Sequence, residues 1–98
     1  MKLSFHHRVQ GEVNEAIDWY EEQANQLGDD FFRKLMHTLE RIRAHPEGYS
    51  FWLASNKVRR AKLQRFPYDV LYEIKSDRVR VLCVRHEKRH PSFGMGRQ

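Results

Sequence analysis

The 98 residues hold one cysteine, three prolines and five glycines. A single cysteine excludes an internal disulfide and fits a reducing cytosol. The longest uncharged stretch, residues 48–56, is too short and too polar to span a bilayer. The first residues, Met1-Lys2-Leu3-Ser4-Phe5-His6, contain no apolar run and no cleavage site. The expectation is a soluble, cytoplasmic protein without membrane contact. The glycines fall at 11, 28, 48, 94 and 96 and make no phosphate-cradling loop. His6, His7, His37 and His45 have no ligand spacing with one another or with Cys83, so no metal site and no cofactor are expected. No Ser-His-Asp order is convincing as a triad. The short length excludes several domains and a deep pocket walled on all sides, leaving one domain over 1–98.

What the chain does contain is charge, unevenly divided. The whole carries +5. Residues 1–50 hold six Lys+Arg against nine Asp+Glu, a net of −3; residues 51–98 hold twelve against four, a net of +8. A basic half of that strength points to an anionic partner for one region rather than to general solubility. Hydrophobic residues at 40%, with 12% aromatics, supply a core and exclude wholesale disorder.

Residues 2–7 alternate as a short strand. Val9, Val13, Ala16, Ile17, Tyr20, Ala24 and Leu27 form one stripe of a helix over 9–27, with Glu12, Glu15, Asp18, Glu21 and Glu22 off it. Gly28 stands where a helix stop belongs, and Asp29 or Asp30 is expected to cap a second helix running to Ala44. Phe31, Phe32, Leu35, Met36, Leu39 and Ile42 give that helix its apolar face, and Pro46 ends it. The short link predicts an antiparallel helix hairpin. An irregular stretch over 47–56 holds Tyr49, Phe51 and Trp52, which are expected to pack on the core. Strands follow over 57–66, 68–75 and 78–86, joined by Pro67 and by Ser76-Asp77. The continuous run Val81-Leu82-Cys83-Val84 suits a central strand buried on both faces. The order β-α-α-β-β-β predicts an α+β fold: an antiparallel sheet with the N-terminal hairpin on one face.

Five of the nine residues 57–65 are basic, and strand alternation puts Arg60 and Lys62 on one face, about 6–7 Å apart. Two cations so spaced match a phosphate and its neighbour; they equally suit the solvated face of a sheet. The closing segment Arg85-His86-Glu87-Lys88-Arg89-His90 adds three more cations and two histidines, and could line one concavity with Arg60 and Lys62. His86 is a candidate acid or base by residue type, or else a structural histidine. Cys83, inside an apolar strand, reads as an inert small hydrophobe. Trp19, Tyr20 and Trp52 read as packing or protein-contact residues before base-stacking ones.

The order of elements, with "AIDWYEEQ" in the first helix, "RRAKLQRFPYDVLYEI" across two strands and "VRVLCVRHEKRHPSF" at the end, resembles the RelE/ParE superfamily over nearly the whole chain. These are toxins of type II toxin–antitoxin systems, often called plasmid-stabilisation proteins. The resemblance implies one of two activities. ParE-like members bind DNA gyrase and arrest growth without chemistry of their own. RelE-like members are ribosome-dependent endoribonucleases that cut mRNA. Both imply a cognate antitoxin and higher-order toxin–antitoxin complexes. Under the nuclease alternative the catalytic residues would be Arg60, Lys62, His86 and Arg89. The RelE-like pattern has an Arg just after the aromatic that opens the next strand, where this chain has Asp69, and a tail Tyr with no match here. Asp69 and the long hairpin of about 35 residues make the likeness closer to ParE. A non-toxic, basic nucleic-acid-binding module is the third reading.

Overall fold

The computed structural model describes residues 1–98. Its elements are β1 (Lys2–Phe5), α1 (Val9–Gln23), α2 (Leu27–Ala44), a single 3-10 turn (Pro46–Gly48), β2 (Val58–Lys62), β3 (Tyr68–Ile74) and β4 (Arg78–His86). The expected β-α-α-β-β-β order is present. The four strands form one sheet in the order β1-β4-β3-β2. β2, β3 and β4 make the antiparallel meander, while β1 joins β4 in parallel, so the sheet is mixed. β1 runs parallel because the helix hairpin carries the chain back over the sheet before the meander begins, and three antiparallel strands then end in the direction in which β1 started.

β4 is central, as its apolar run predicts. One refinement comes from its register. Leu71 faces Cys83 and Tyr72 faces Val81, so Leu82 is unopposed and makes a bulge. The bulge turns Leu82 and Cys83 to the same side, away from the hairpin, while Val81 and Val84 face the helices. The continuous apolar run therefore serves two faces through a change of parity.

The hairpin packs on one face through Val9, Val13, Ala16 and Tyr20 of α1 and Phe31, Leu35, Leu39 and Ile42 of α2. Beneath them lie Ala61, Leu63, Val70, Tyr72, Val79 and Val81 of the sheet side. Tyr72 is fully buried and its hydroxyl donates to the Pro46 carbonyl at 2.6 Å, tying the end of the hairpin to β3. No helix is long and apolar enough to cross a membrane.

The turn between the helices differs from the sequence expectation. α1 stops at Gln23, and Leu27 already belongs to α2. The left-handed residue is Gln26, with φ 70°, and Gly28 lies inside the first turn of α2. Gly28 is needed for closeness, not for φ: a Cβ there would stand 2.7 Å from the Ile17 carbonyl oxygen. Neither Asp29 nor Asp30 caps the helix. Glu21 of α1 does so from outside, accepting the backbone N–H of Gln26 and of Gly28, each at 3.0 Å. A carboxylate there also suits the positive end of the helix dipole. On α2, Phe32 and Met36 stay substantially exposed and Thr38 is buried instead, because the core stripe of the helix is rotated from the one that six apolar residues imply. β1 and β2 are shorter than expected. β2 stops at Lys62, and Arg65 takes φ 73° to turn the chain toward β3.

Candidate functional site

The sheet face away from the hairpin carries a second apolar cluster: Val58, Leu71, Leu82 and Cys83. Trp52, Phe93 and Met95 pack against it, so the C-terminal tail folds back over the sheet. Gly94 makes that descent possible. Its φ is +83°, and a Cβ would lie 2.9 Å from Cys83 Cβ, which no side-chain-bearing residue fits. Trp52 Nε1 donates to the Pro91 carbonyl at 2.7 Å, pinning loop to tail. β4 outruns the four-residue β1, and its uncovered edge is closed by side chains. Glu12 accepts the Val84 N–H at 3.0 Å, Arg97 donates to the Leu82 carbonyl at 3.1 Å, and the two pair with each other at 2.7 Å.

Cys83 lies at the bottom of this layer with no exposed surface, and burial pushes its thiol up to about 12. Burial does the same to the Tyr72 phenol, raised to about 12. Both groups are therefore neutral when folded and ionise first in the unfolded chain, where their ordinary values are 9.0 and 10.0. Their contribution to stability is complete below those values and is lost as pH rises toward 12. Between pH 8 and pH 10 the Cys83 share alone amounts to about 1.4 kcal/mol. Urea unfolding at pH 8 and pH 10 checks this: Cys83→Ala should lose about that much less stability over the interval than the parent chain.

Around the edge of the apolar layer stand the charges. Cross-strand register sets Lys62 of β2, Asp69 of β3 and Arg85 of β4 in one row, with Arg60 two residues up β2. Asp69 is fully buried and Arg85 is 3% exposed. Arg85 Nη2 donates to Asp69 Oδ2 at 2.9 Å; its Nε lies 2.8 Å from Oδ1, charge to charge, without an aligned hydrogen bond. Arg60 Nε donates to the same Oδ2 at 2.7 Å. The Trp52 ring lies against both guanidiniums, 4.5 Å from Arg60 and 5.1 Å from Arg85, as a cation–π platform. Glu87 completes the group, 3.0 Å from Lys62 Nζ and 3.5 Å from Arg60 Nη2. The hydrogen bond from Lys62 is the main reason its carboxyl is held below the usual carboxylate range, with the charges of Lys62, Arg60 and His86 adding to it.

His86 and Arg89 stand elsewhere. They line a cavity of about 120 Å³ at the free edge of β4, with Glu12, Glu15, Ala16 and Tyr68 on one side and Arg85 and Phe93 on the other. The His86 ring sits edge-on to Tyr68 at 5.0 Å, and its Nδ1 accepts the Lys88 N–H at 3.0 Å. The Arg89 guanidinium lies over Phe93 at 4.8 Å. The fold thus brings Arg60 and Lys62 together around Glu87, and His86 and Arg89 together around that cavity. The single cationic concavity expected from sequence is instead a network in which carboxylates already occupy the cations.

What the sequence did not show is that Arg85 and Trp52 meet Arg60 around Asp69. The available signal was Asp69, an acid inside an apolar strand, which needs a buried cation; Arg85, closing the apolar run of the neighbouring strand, is where one would be sought. On the helix side, Phe5, Val9, Val13, Phe32, Leu35 and Met36 line an apolar groove of about 330 Å³.

A family described as the ParE toxin of the type II toxin–antitoxin system parDE matches residues 3–91. No curated protein sequence matches. Among solved structures, a chain of the chromosomal ParDE toxin–antitoxin system from P. aeruginosa is similar in fold, with TM-score 0.76 at 14% identity, over 88% of this chain and 95% of that one. With the family matched across nearly the whole domain, and the fold shared with that solved chain, this protein belongs to the ParE toxin family.

Proposed function

We propose that the chain arrests growth by binding DNA gyrase and is held silent by a cognate antitoxin. One observation carries the choice of target: Asp69 neutralises Arg60 and Arg85 inside the sheet face. Stabilising a cleaving phosphodiester needs preorganised donors aimed at the developing charge. Here the Arg60 and Arg85 donors are directed at a buried carboxylate, and Lys62 at Glu87. The four residues that RNA cleavage would need, Arg60, Lys62, His86 and Arg89, also gather as two pairs, one around Glu87 and one around a separate cavity. Binding a large partner needs a surface rather than a charged catalytic centre, and the fold offers one. The antitoxin reading is supported by family membership and by the apolar groove beside Phe32 and Met36, which would give an amphipathic segment its anchors.

The test is a supercoiling assay with purified gyrase and relaxed plasmid. Inhibition is expected at micromolar toxin, and Lys62→Ala and His86→Ala should inhibit as the parent does. On induction in cells, DNA synthesis should fall before protein synthesis. Supercoiling untouched at micromolar toxin would reject gyrase as the target. Early loss of protein synthesis, abolished by Lys62→Ala, would establish the ribosome-dependent nuclease instead. Unaffected growth would leave a non-toxic nucleic-acid-binding module.

A further inference from the structure

The outer surface of α2 carries a second basic site, remote in role from the Asp69 network. Arg33, Lys34 and His37 of α2 meet Gln64 and Arg65 of the β2–β3 loop around a shallow concavity of about 300 Å³, with Asp30 the one acid in it. Asp30 organises the site rather than cancelling it. Its Oδ1 accepts Arg33 Nη1 at 3.2 Å and its Oδ2 accepts Arg65 Nη1 at 3.0 Å. One carboxylate thereby fixes two guanidiniums, and each, with five N–H donors, keeps four for something else. Arg65 reaches this position through a left-handed backbone, φ 73°, which is costly for a non-glycine residue. The side chains of Lys34 and His37 make no hydrogen bond or ion pair in the fold.

We propose that this concavity binds the phosphate backbone of duplex DNA. Three permanent cations face one carboxylate, which calls for an anion. The lining contains no hydrophobic residue, and the His37 imidazole is its one ring. A single strand is held by bases stacked on aromatic rings, for which one imidazole is a small platform, whereas a duplex can be held through its phosphates, which suits three cations around one ring. From residue 33 to residue 37 the helix rises about 6 Å, a length over which each strand of a duplex presents about two phosphates. The proposal does not rest on gyrase as the target and is measured without it.

The experiment is fluorescence anisotropy of the full chain on a labelled 30-base-pair duplex. With Arg33, Lys34 and Arg65 engaged, the slope of log affinity against log salt should be about −2.7, or about 40-fold weaker binding at 200 mM salt than at 50 mM. Lys34→Ala/Arg65→Gln should reduce the slope by about 2. Lys34→Ala/His37→Ala, which removes no contact of the fold, should also weaken binding and keeps the test independent of any loss of stability. Lys57→Ala, on another face, should change little. Absence of duplex binding, binding indifferent to both double variants, or tighter binding to the matching single strand would overturn the proposal. A poly-glutamate peptide that outcompetes the duplex, with the same sensitivity to the variants, would assign the site to an acidic protein partner and overturn it equally.

Discussion

Asp69→Ala should cost about 3–5 kcal/mol, because it strands a buried arginine rather than merely removing a contact. Arg85 is 3% exposed and its guanidinium is directed at Asp69 and at the tail carbonyls of Arg89 and His90. Without the carboxylate, a full positive charge remains in the sheet under Trp52. Arg60 suffers less: it is 24% exposed at its side chain and has Glu87 as a second partner. A domain of this size has about 5–15 kcal/mol in total, so the variant should melt of order 20 °C lower. The double variant Asp69→Leu/Arg85→Met should recover most of the loss, since replacing both members of a buried pair by apolar groups of similar volume is often neutral. Thermal unfolding of the two single variants and the double decides it. A loss below 1 kcal/mol for Asp69→Ala would mean that Arg85 escapes to water and that the network does not hold the face together. The outcome bears on the proposed function, because that reading rests on the same carboxylate holding Arg60 and Arg85.

The architecture was legible in the sequence because its signals are local. The stripe from Val9 to Tyr20, the apolar face around Phe31 and Leu35, and the run through Val81 to Val84 each report a period or a burial that no tertiary contact has to supply. The charged site was less legible, because its meaning lies between strands. Arg60 and Lys62 look alike in a basic stretch, yet Arg60 reaches diagonally to the buried Asp69 while Lys62, directly opposite Asp69 in the register, turns to Glu87 and lies largely in water. His86 and Arg60 seem to belong together until parity is counted through a bulge that the sequence does not announce. Gly28 and Gln26 show the same limit at the helix turn. Glycine is read as a positive-φ residue by default, but here closeness to Ile17 demands it and glutamine bears the φ. Asp29 and Asp30 look like caps, yet Glu21, from the preceding helix, does the capping.

Phe31 and Phe32 provide the sharpest check on how the hairpin sits, since they are neighbours of identical chemistry on opposite sides of its packing boundary. Phe31 has no exposed surface and Phe32 is 43% exposed. The Phe31 ring is stacked with Tyr20 at 5.5 Å and meets Tyr68 and Phe66 edge-on at 4.9 and 5.4 Å, joining both helices to the turn between β2 and β3. Phe31→Ala should therefore cost about 3–5 kcal/mol, the transfer term plus the cavity that four surrounding elements cannot collapse into. Phe32→Ala removes a ring that is only about half withdrawn from water and should cost about 1 kcal/mol. Urea unfolding of the two variants measures the contrast directly, and equal losses would contradict the rotation of α2 seen here. The pair also separates folding from recognition. Phe32 lines the apolar groove whereas Phe31 does not, so Phe32→Ala should leave a folded domain whose proposed antitoxin binds at least tenfold more weakly, a loss consistent with truncating a central anchor. Phe31→Ala should reduce the folded fraction and leave the affinity of what remains folded unchanged.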